Sequence, residues 1–303
     1  MVDTRIILGL LVAAFLLNLG GCTMLGPDFQ TPEARVPAPW SGEETELFKK
    51  PSKEESVAWW QEFNDPMLDE LIELAYNQNL TLRSAGLRIL EARAQLGLVK
   101  GNLYPQLQEL NGDLVTIGTT GPADDRYYNA ASMGFDVGWE IDFWGKFRRS
   151  IESADSNLLA SIADYDDILI SLTAEVARTY VNIRTQEERI SLAEKNADLQ
   201  QKSLQLVVLQ LEAGVVTELD VLQAKTLLSS TLATIPNFRA TLATFTNSLA
   251  VLLGILPEDV NTILRSGSGI PEHSTQIGLG APAELLRRRP DIRRAEMQAA
   301  AQS

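Results

Sequence analysis

Few side chains in this sequence have the types and spacing that catalysis or metal binding requires. The single histidine, His273, lies in a stretch rich in Gly and Pro, and the single cysteine, Cys22, lies near the start of the chain. Neither residue is part of a spaced ligand set, so an exposed histidine is favoured over a general base or a metal ligand. We predict that the chain is not an enzyme and holds no metal and no cofactor.

Two clusters of charge could bind a partner. Asp164, Asp166 and Asp167 fall within a long helical pattern and are typical of a solvated helix face. Five arginines near the end of the sequence could suggest nucleic acid: Arg287, Arg288, Arg289, Arg293 and Arg294. The formal net charge of −14, however, disfavours binding to nucleic acid. These arginines are typical of an exposed helix start. We predict no nucleic-acid partner.

The residues before Cys22 predict a lipid modification. Arg5 precedes an apolar run over residues 6–19, which is too short for a membrane span and typical of a signal peptide. The run ends at Leu19-Gly20-Gly21-Cys22, which resembles the lipobox of bacterial lipoproteins. The resemblance implies removal of residues 1–21 and acylation of Cys22, palmitate included, which tethers the chain to a membrane. Thr23 replaces the Asp that retains such lipoproteins at the inner membrane, so we expect the outer membrane.

The elements that position these residues begin with an extended strap. Pro27, Pro32, Pro37 and Pro39 exclude both helix and central strand, so we predict that residues 22–64 lie along the surface. Asn64-Asp65-Pro66 is typical of a helix start, and apolar residues keep helical spacing to about residue 100. This pattern predicts a helix over 66–100.

Between residues 103 and 143 the apolar period becomes two, which predicts a β-hairpin. Apolar residues over 131–143 alternate with Ser, Gly, Asp and Glu, so the strand has one apolar face and one carboxylate face. Residues 103–117 alternate less cleanly, and 118–129 are typical of an exposed loop. The apolar face would contact either the core of a soluble sheet or the lipid around an outer-membrane barrel with a watery lumen.

In the membrane alternative each side of the strand has a defined environment. The lipid-facing residues are Phe135, Val137, Trp139 and Ile141. The residues facing the barrel lumen are Asp136, Glu140 and Asp142. Phe143-Trp144 would lie at the membrane interface.

A very long helix is predicted over 148–213, because neither Gly nor Pro interrupts the sequence there. Every seventh residue in the series that starts at Ile162 is apolar: Ile162, Leu169, Val176, Ile183, Ile190, Ala197, Leu204 and Leu211. A helix of this kind is on the order of 100 Å long, and its repeat implies left-handed supercoiling against neighbouring helices. A coiled-coil dimer or spacer is the simplest explanation of this stretch alone.

The long helix is predicted to turn at Gly214 and to return. Gly214 is a natural left-handed stop, and Thr217 with Asp220 resembles a capping box that starts a return helix over 218–254. Pro236 is expected to kink this helix. A linker rich in Gly and Pro leads to 278–303, which has the texture of the first helix. Because that pattern ends without a cap or breaker, we expect the start of a second, truncated repeat.

Several motifs occur in a specific order along almost the whole mature chain: Gly26-Pro27-Asp28-Phe29 through Trp40, Trp59-Trp60 with Asp65-Pro66, Trp139-Glu140-Ile141-Asp142, Ala213-Gly214 with Leu219-Asp220, residues 249–254, and Arg288-Arg289-Pro290-Asp291-Ile292. In this order they resemble the outer-membrane efflux protein family, and within it the TolC-like lipoproteins of the NodT type. Gln210 departs from the family, which often carries an Arg four residues before the tip glycine.

The resemblance implies a fold class that is mainly α: long antiparallel coiled-coil helices of a periplasmic tunnel, plus a transmembrane β-hairpin that contributes to a trimeric β-barrel. Residues 65–270 would form the first of two structural repeats. The family's tip docks on a periplasmic adaptor that connects it to an inner-membrane pump. In this sequence the tip residues would be Gly214, Val215, Thr217, Leu219 and Asp220.

Two functions of different class follow. The first is the outer-membrane channel of a tripartite efflux system of the RND type, or of a secretion system, which exports small molecules passively. The second is a lipid-anchored periplasmic adaptor or scaffold that uses its coiled-coil hairpin only for binding. An adaptor would need lipoyl-like β segments beside the hairpin, whereas this chain has a strand with one apolar and one acidic face. We therefore expect the channel.

Overall fold

The computed structural model describes residues 24–32, 58–119, 126–265, 269–272 and 286–303, so the predictions for Cys22 and His273 lie outside the described residues. A 3-10 helix, Trp59–Phe63, precedes the elements we label in chain order: α1 Pro66–Gln78, α2 Leu80–Gly101, β1 Leu107–Thr119, β2 Arg126–Gly138, α3 Lys146–Glu212, α4 Glu218–Leu253, α5 Pro257–Leu264 and α6 Pro290–Gln302.

The predicted first helix is two helices. Asp65 caps α1 by accepting hydrogen bonds from the backbone N–H groups of Met67 and Leu68, and Pro66 occupies the first helical position. Asn79 then separates α1 from α2, and its Oδ1 accepts from the Leu82 N–H at 2.8 Å. Because Asn79 caps α2 with its own side chain, the chain starts a second helix where periodicity alone predicts one helix over 66–100.

Contacts divide the chain into two compact units, and α2 and α3 each pass from one unit to the other. Of the described residues, one unit contains 58–86, 165–265, 269–272 and 286–289. Its core is formed by side chains of four helices with almost no exposed surface: Leu68, Leu71 and Ile72 of α1, Val176, Tyr180 and Ile183 of α3, Leu249 and Leu253 of α4, and Val260 of α5. Burial of these side chains stabilises the junction of the four helices.

The long helix and its return are confirmed with small shifts in their bounds. α3 has 67 residues, and every side chain of the predicted seven-residue series is buried or partly buried. α4 continues through Pro236, although proline has no N–H to donate to the preceding turn. The expected kink at this residue stays a prediction. Arg239 of α4 contacts Glu194 of α3 at 2.7 Å.

Of the described residues, the other unit contains 24–32, 87–119, 126–164 and 290–303. β1 and β2 form an antiparallel pair from Leu107 opposite Gly138 to Thr119 opposite Arg126. Both strands therefore extend into the range 118–129, which was predicted to be a loop: β1 ends at Thr119 and β2 begins at Arg126. Conversely, β2 ends at Gly138, so the predicted strand is wrong over 139–143.

Within the described ranges, no single helix is both long enough and apolar enough to cross a membrane; α4 and α5, bent by 102° at their junction, meet these requirements only as a pair.

Candidate functional site

One face of the β-hairpin is apolar and exposed. Residues opposite each other in an antiparallel pair point to the same face, and the register places Leu110 opposite Phe135, and Leu114 opposite Ala131. The apolar members of this face are Leu110, Leu114, Ala131, Met133, Phe135 and Val137. Leu114 and Met133 are about four-fifths exposed. The predicted grouping of Phe135 with Val137 is thus extended by two leucines of β1.

The opposite face of the hairpin carries three carboxylates. Glu109 lies directly opposite Asp136, and Asp113 lies opposite Ser132 on the same face. The Asn111 amide donates to Asp136 Oδ2 at 2.8 Å. Two like charges opposite each other repel, so this face requires water or another polar surface to solvate it. The predicted lumen-facing set does not include Glu109 and Asp113, although the alternation of Glu109-Leu110-Asn111 and of Asp113-Leu114 indicates them.

The polarity of both faces changes near the turn of the hairpin. Thr116 and Asn129 are opposite each other on the otherwise apolar face, and their side chains are hydrogen-bonded at 2.8 Å. On the carboxylate face, Ile117 lies opposite Tyr128. The apolar face is therefore continuous only between the Leu110–Phe135 and Leu114–Ala131 pairs, with Gln108 beyond one end and Thr116 beyond the other.

The other residues predicted to face lipid or lumen, Trp139 to Asp142, lie beyond the end of β2 and do not continue its alternation. Glu140 forms an ion pair with Lys146 at 3.1 Å, beyond the end of β2. Asp142 Oδ2 accepts a hydrogen bond from the Arg148 backbone N–H at 3.0 Å, and the Asp142 side chain is about nine-tenths buried. Asp142 therefore stabilises the first turn of α3. Trp139 and Ile141 are exposed, and the Trp139 indole donates to the Leu103 carbonyl.

The turn between α3 and α4 has a defined backbone. Gly214 has a φ of 73°, and its N–H donates to the Leu211 carbonyl. The Val215 N–H donates to the Gln210 carbonyl, which completes a Schellman motif at the end of α3. Residue 210 therefore contributes to this turn through its backbone carbonyl, and this contact does not depend on the Gln210 side chain.

The start of α4 is fixed by Thr217 and Asp220. Asp220 Oδ2 accepts from the Thr217 N–H at 2.8 Å and from the Thr217 hydroxyl at 2.7 Å. These bonds, the hydroxyl first, lower the pKa of Asp220 below its ordinary value of 3.8. Val215 and Leu219 remain exposed, at 71% and 60%. The structure thus brings the five predicted tip residues together, with apolar side chains available for a partner.

The other charged clusters have structural contacts. Asp164 forms an ion pair with Arg294 of α6, and Arg88 of α2 lies 3.8 Å from the same carboxylate. The Asp164 side chain is only 26% exposed, so the prediction of a solvated face is wrong for this residue. Within the part of the chain that the structure describes, no three His, Cys, Asp or Glu side chains are grouped as metal ligands.

Comparison with known proteins identifies the family. The family model described as outer membrane efflux protein matches residues 71–255, which is more than half of the chain. The chain belongs to the outer membrane efflux protein family. Its sequence is 32% identical over 291 residues to nodulation protein T of Rhizobium leguminosarum bv. trifolii, covering 93% of this chain and 60% of the relative.

A second member of the family is described as a lipoprotein. The chain is 29% identical over 296 residues to the probable outer membrane lipoprotein SilC of Salmonella typhimurium, covering 96% of this chain and 62% of SilC. The chain therefore spans about three-fifths of the length of these two relatives.

A solved structure has the same fold. The outer-membrane channel OprN superposes with a TM-score of 0.80 at 34% identity, over 91% of this chain and 62% of OprN. The family resemblance of the motifs and the mainly helical fold are confirmed by these matches.

Proposed function

We propose that this efflux-family chain forms part of an outer-membrane channel through which small molecules leave passively. The observation that carries the proposal is the two-faced hairpin, because Leu110 and Phe135 are exposed on one face and Glu109 and Asp136 on the other. An apolar outer face and a polar inner face are what a transmembrane barrel requires.

A single hairpin cannot close a barrel, so further strands must pair with its edges. Three copies of the chain sharing one barrel and one helical tunnel would supply such strands. The exposed carboxylates Glu109, Asp113 and Asp136 would then lie around a water-filled lumen and favour cations there. In this arrangement the protein only provides a passage, and no covalent bond of the transported molecule is made or broken.

The turn between α3 and α4 is proposed as the docking tip for a periplasmic adaptor. Val215 and Leu219 present exposed apolar groups on a backbone that is held by the Gly214 and Thr217 contacts. A preorganised apolar surface binds with a smaller entropy cost than a mobile one. Through the adaptor, the channel would connect to an inner-membrane pump of the RND type or to a secretion system.

The proposed location is the bacterial outer membrane, with a large periplasmic part and a lipid anchor at Cys22. The lipobox-like sequence and the lipoprotein description of SilC support the anchor. Family membership and the two-faced hairpin favour the channel over a lipid-anchored adaptor or scaffold.

The test is to express the complete reading frame in a Gram-negative host and to purify the protein from outer membranes. We expect heat-resistant trimers on gels and discrete ion-conductance steps in planar bilayers, with cations preferred over anions. A protein that is recovered from outer membranes as a monomer without conductance would overturn the channel proposal. A Cys22→Ala variant should lose incorporation of labelled palmitate, and unchanged incorporation would remove the lipid anchor from the proposal.

A further inference from the structure

The break between α1 and α2 lies against the corner between α4 and α5. Gly254 ends α4 with a φ of 68°, and a Cβ at this position would lie 2.6 Å from the carbonyl oxygen of Gln78, the last residue of α1. α4 and α5 are bent by 102° at this corner. Glycine is therefore required at position 254 both by the left-handed backbone and by the close approach of α1.

Asn79 lies beside this contact, and its side chain bonds two helices at once. Its Oδ1 accepts from the Leu82 N–H of α2 at 2.8 Å, and its Nδ2 donates to the Leu252 carbonyl of α4 at 2.8 Å. The residue is 6% exposed. One amide group thus caps the start of α2 and the end of α4. We call Gln78, Asn79 and Gly254 the joint.

Each of the two bonds satisfies a backbone group at a helix end. The Leu82 N–H is in the first turn of α2, and the Leu252 carbonyl is in the last turn of α4, where helical geometry supplies no partner. The first group needs an acceptor and the second needs a donor. Asparagine supplies both, whereas an ionised aspartate supplies only acceptors. A carbonyl withdrawn from water that loses its donor costs free energy.

Side chains on both sides of the joint belong to the same core. Ala75 of α1, Leu82 of α2, and Leu249 and Leu253 of α4 are each at most 3% exposed and pack in one cluster. Unfolding of either helix end would expose part of this cluster and break an Asn79 bond. Segments that share contacts in this way open cooperatively. The contacts therefore favour one opening event for both helix ends.

We propose that Asn79 is a positioning residue that couples two helix ends, so that the start of α2 and the end of α4 open and close as one unit. The purpose of the coupling rests on the proposed function, because α4 begins at the proposed docking tip and ends at the joint. A displacement of α4 on adaptor binding would be passed to α2 through the Asn79 amide.

The experiment is hydrogen exchange of the complete protein, purified from outer membranes, in peptides covering 80–86 and 249–255. Arg83→Gly weakens α2 at an exposed position, because glycine has a lower helix propensity than arginine. If the two helix ends open together, exchange should rise about fivefold in both peptides. A peptide covering 195–201 of α3 is the reference and should be unchanged.

Asn79→Asp tests whether the amide carries the coupling. The carboxylate keeps the acceptor for Leu82 and loses the donor for Leu252, so Arg83→Gly in this background should accelerate exchange only in 80–86. Asn77→Asp is the matched background control, because the Asn77 amide donates to the Glu73 carbonyl on the exposed side of α1. In that background Arg83→Gly should again accelerate exchange in both peptides.

Coupling between two sites is reciprocal, which provides a second variant that leaves α2 and Asn79 intact. Ser248→Gly on the exposed face of α4 should accelerate exchange about twofold in 249–255 and equally in 80–86. A response confined to the helix that carries the substitution would overturn the proposal. A shared response that persists in Asn79→Asp would assign the coupling to core packing, and this outcome would overturn the role of Asn79.

These outcomes are separate from the outcome for the channel, because exchange is measured without an adaptor and without conductance. The same preparation is tested in planar bilayers. Trimers that conduct without the shared exchange response would remove the coupling and leave the channel proposal intact. A shared response in protein that does not conduct would support the coupling and count against the channel.

Discussion

Asp65 uses its two carboxylate oxygens for two different contacts. Oδ1 accepts from the backbone of α1, whereas Oδ2 accepts the Tyr180 hydroxyl of α3 at 2.7 Å. Tyr180 is 1% exposed, and burial raises its pKa above its ordinary value of 10.0, so the hydroxyl remains a donor at neutral pH. The Arg184 guanidinium stacks over the Tyr180 ring at 5.1 Å. One residue thereby joins the start of a helix to the long helix across the core.

Tyr180→Phe tests the strength of this contact. Removing a buried hydroxyl from a charged acceptor should lower the free energy of unfolding by about 1.5–3 kcal/mol. Tyr76→Phe is the matched control, because the Tyr76 hydroxyl bonds the neutral Thr173 hydroxyl at 2.9 Å, and it should cost only about 0.5–1.5 kcal/mol. Asp65→Ala should cost more than Tyr180→Phe because the cap is lost as well. Denaturant unfolding of each variant measures the loss in the free energy of unfolding. Equal losses for Tyr180→Phe and Tyr76→Phe would contradict the prediction.

At the scale of elements, the turn between α3 and α4 depends on a carboxylate that titrates. The pKa of Asp220 is lower in the folded chain than its ordinary value of 3.8. Its stabilising effect is therefore fully present above that ordinary value and is lost as the pH falls through the lowered pKa. Acidification should loosen the turn only below about pH 3.8.

Hydrogen exchange of peptides covering 213–222 measures this effect. Relative to an unstructured peptide at the same pH, protection in the wild-type protein should fall on acidification below that range. In Asp220→Ala, protection should be low already at neutral pH and should change little with acidification. Asp198→Ala removes a carboxylate of an exposed ion pair with Lys202 on α3 and should behave as the wild type does. A wild-type loss of protection that begins well above pH 4 would show that another group controls the turn.

The sequence predicts an element correctly where its hydrophobic repeat extends over many turns. It predicts an element boundary incorrectly where a single side chain determines that boundary. The seven-residue series of α3 repeats over many turns, so small local exceptions do not hide it. Asn79, by contrast, ends α1 because its side chain caps α2 and donates to the Leu252 carbonyl of α4, a contact distant in sequence. The Asn before Leu80 was a readable capping signal. β2 ends at Gly138, and Asp142 beyond it accepts a hydrogen bond from the first turn of α3, which the alternating pattern of Trp139 to Phe143 does not reveal.

At the scale of the whole molecule, the proposed channel requires the two faces of the hairpin to meet different solvents. Phe135 and Asp136 are neighbours on β2, both are exposed in the single chain, and they point to opposite faces. A soluble sheet would bury the Phe135 face in a protein core, whereas a barrel would place it in lipid. Substitutions of these adjacent residues to the same side chain can therefore distinguish the two arrangements.

Phe135→Lys places a charge in lipid if the barrel assignment holds, at a cost of about 2–4 kcal/mol near the bilayer centre. Heat-resistant oligomers from outer membranes should therefore be strongly reduced. Asp136→Lys puts the same side chain on the other face, opposite Glu109, so assembly should persist while the preference for cations in planar bilayers decreases. Loss of assembly in both variants would indicate that both faces are packed against protein. Normal assembly of Phe135→Lys would show that this face does not meet lipid.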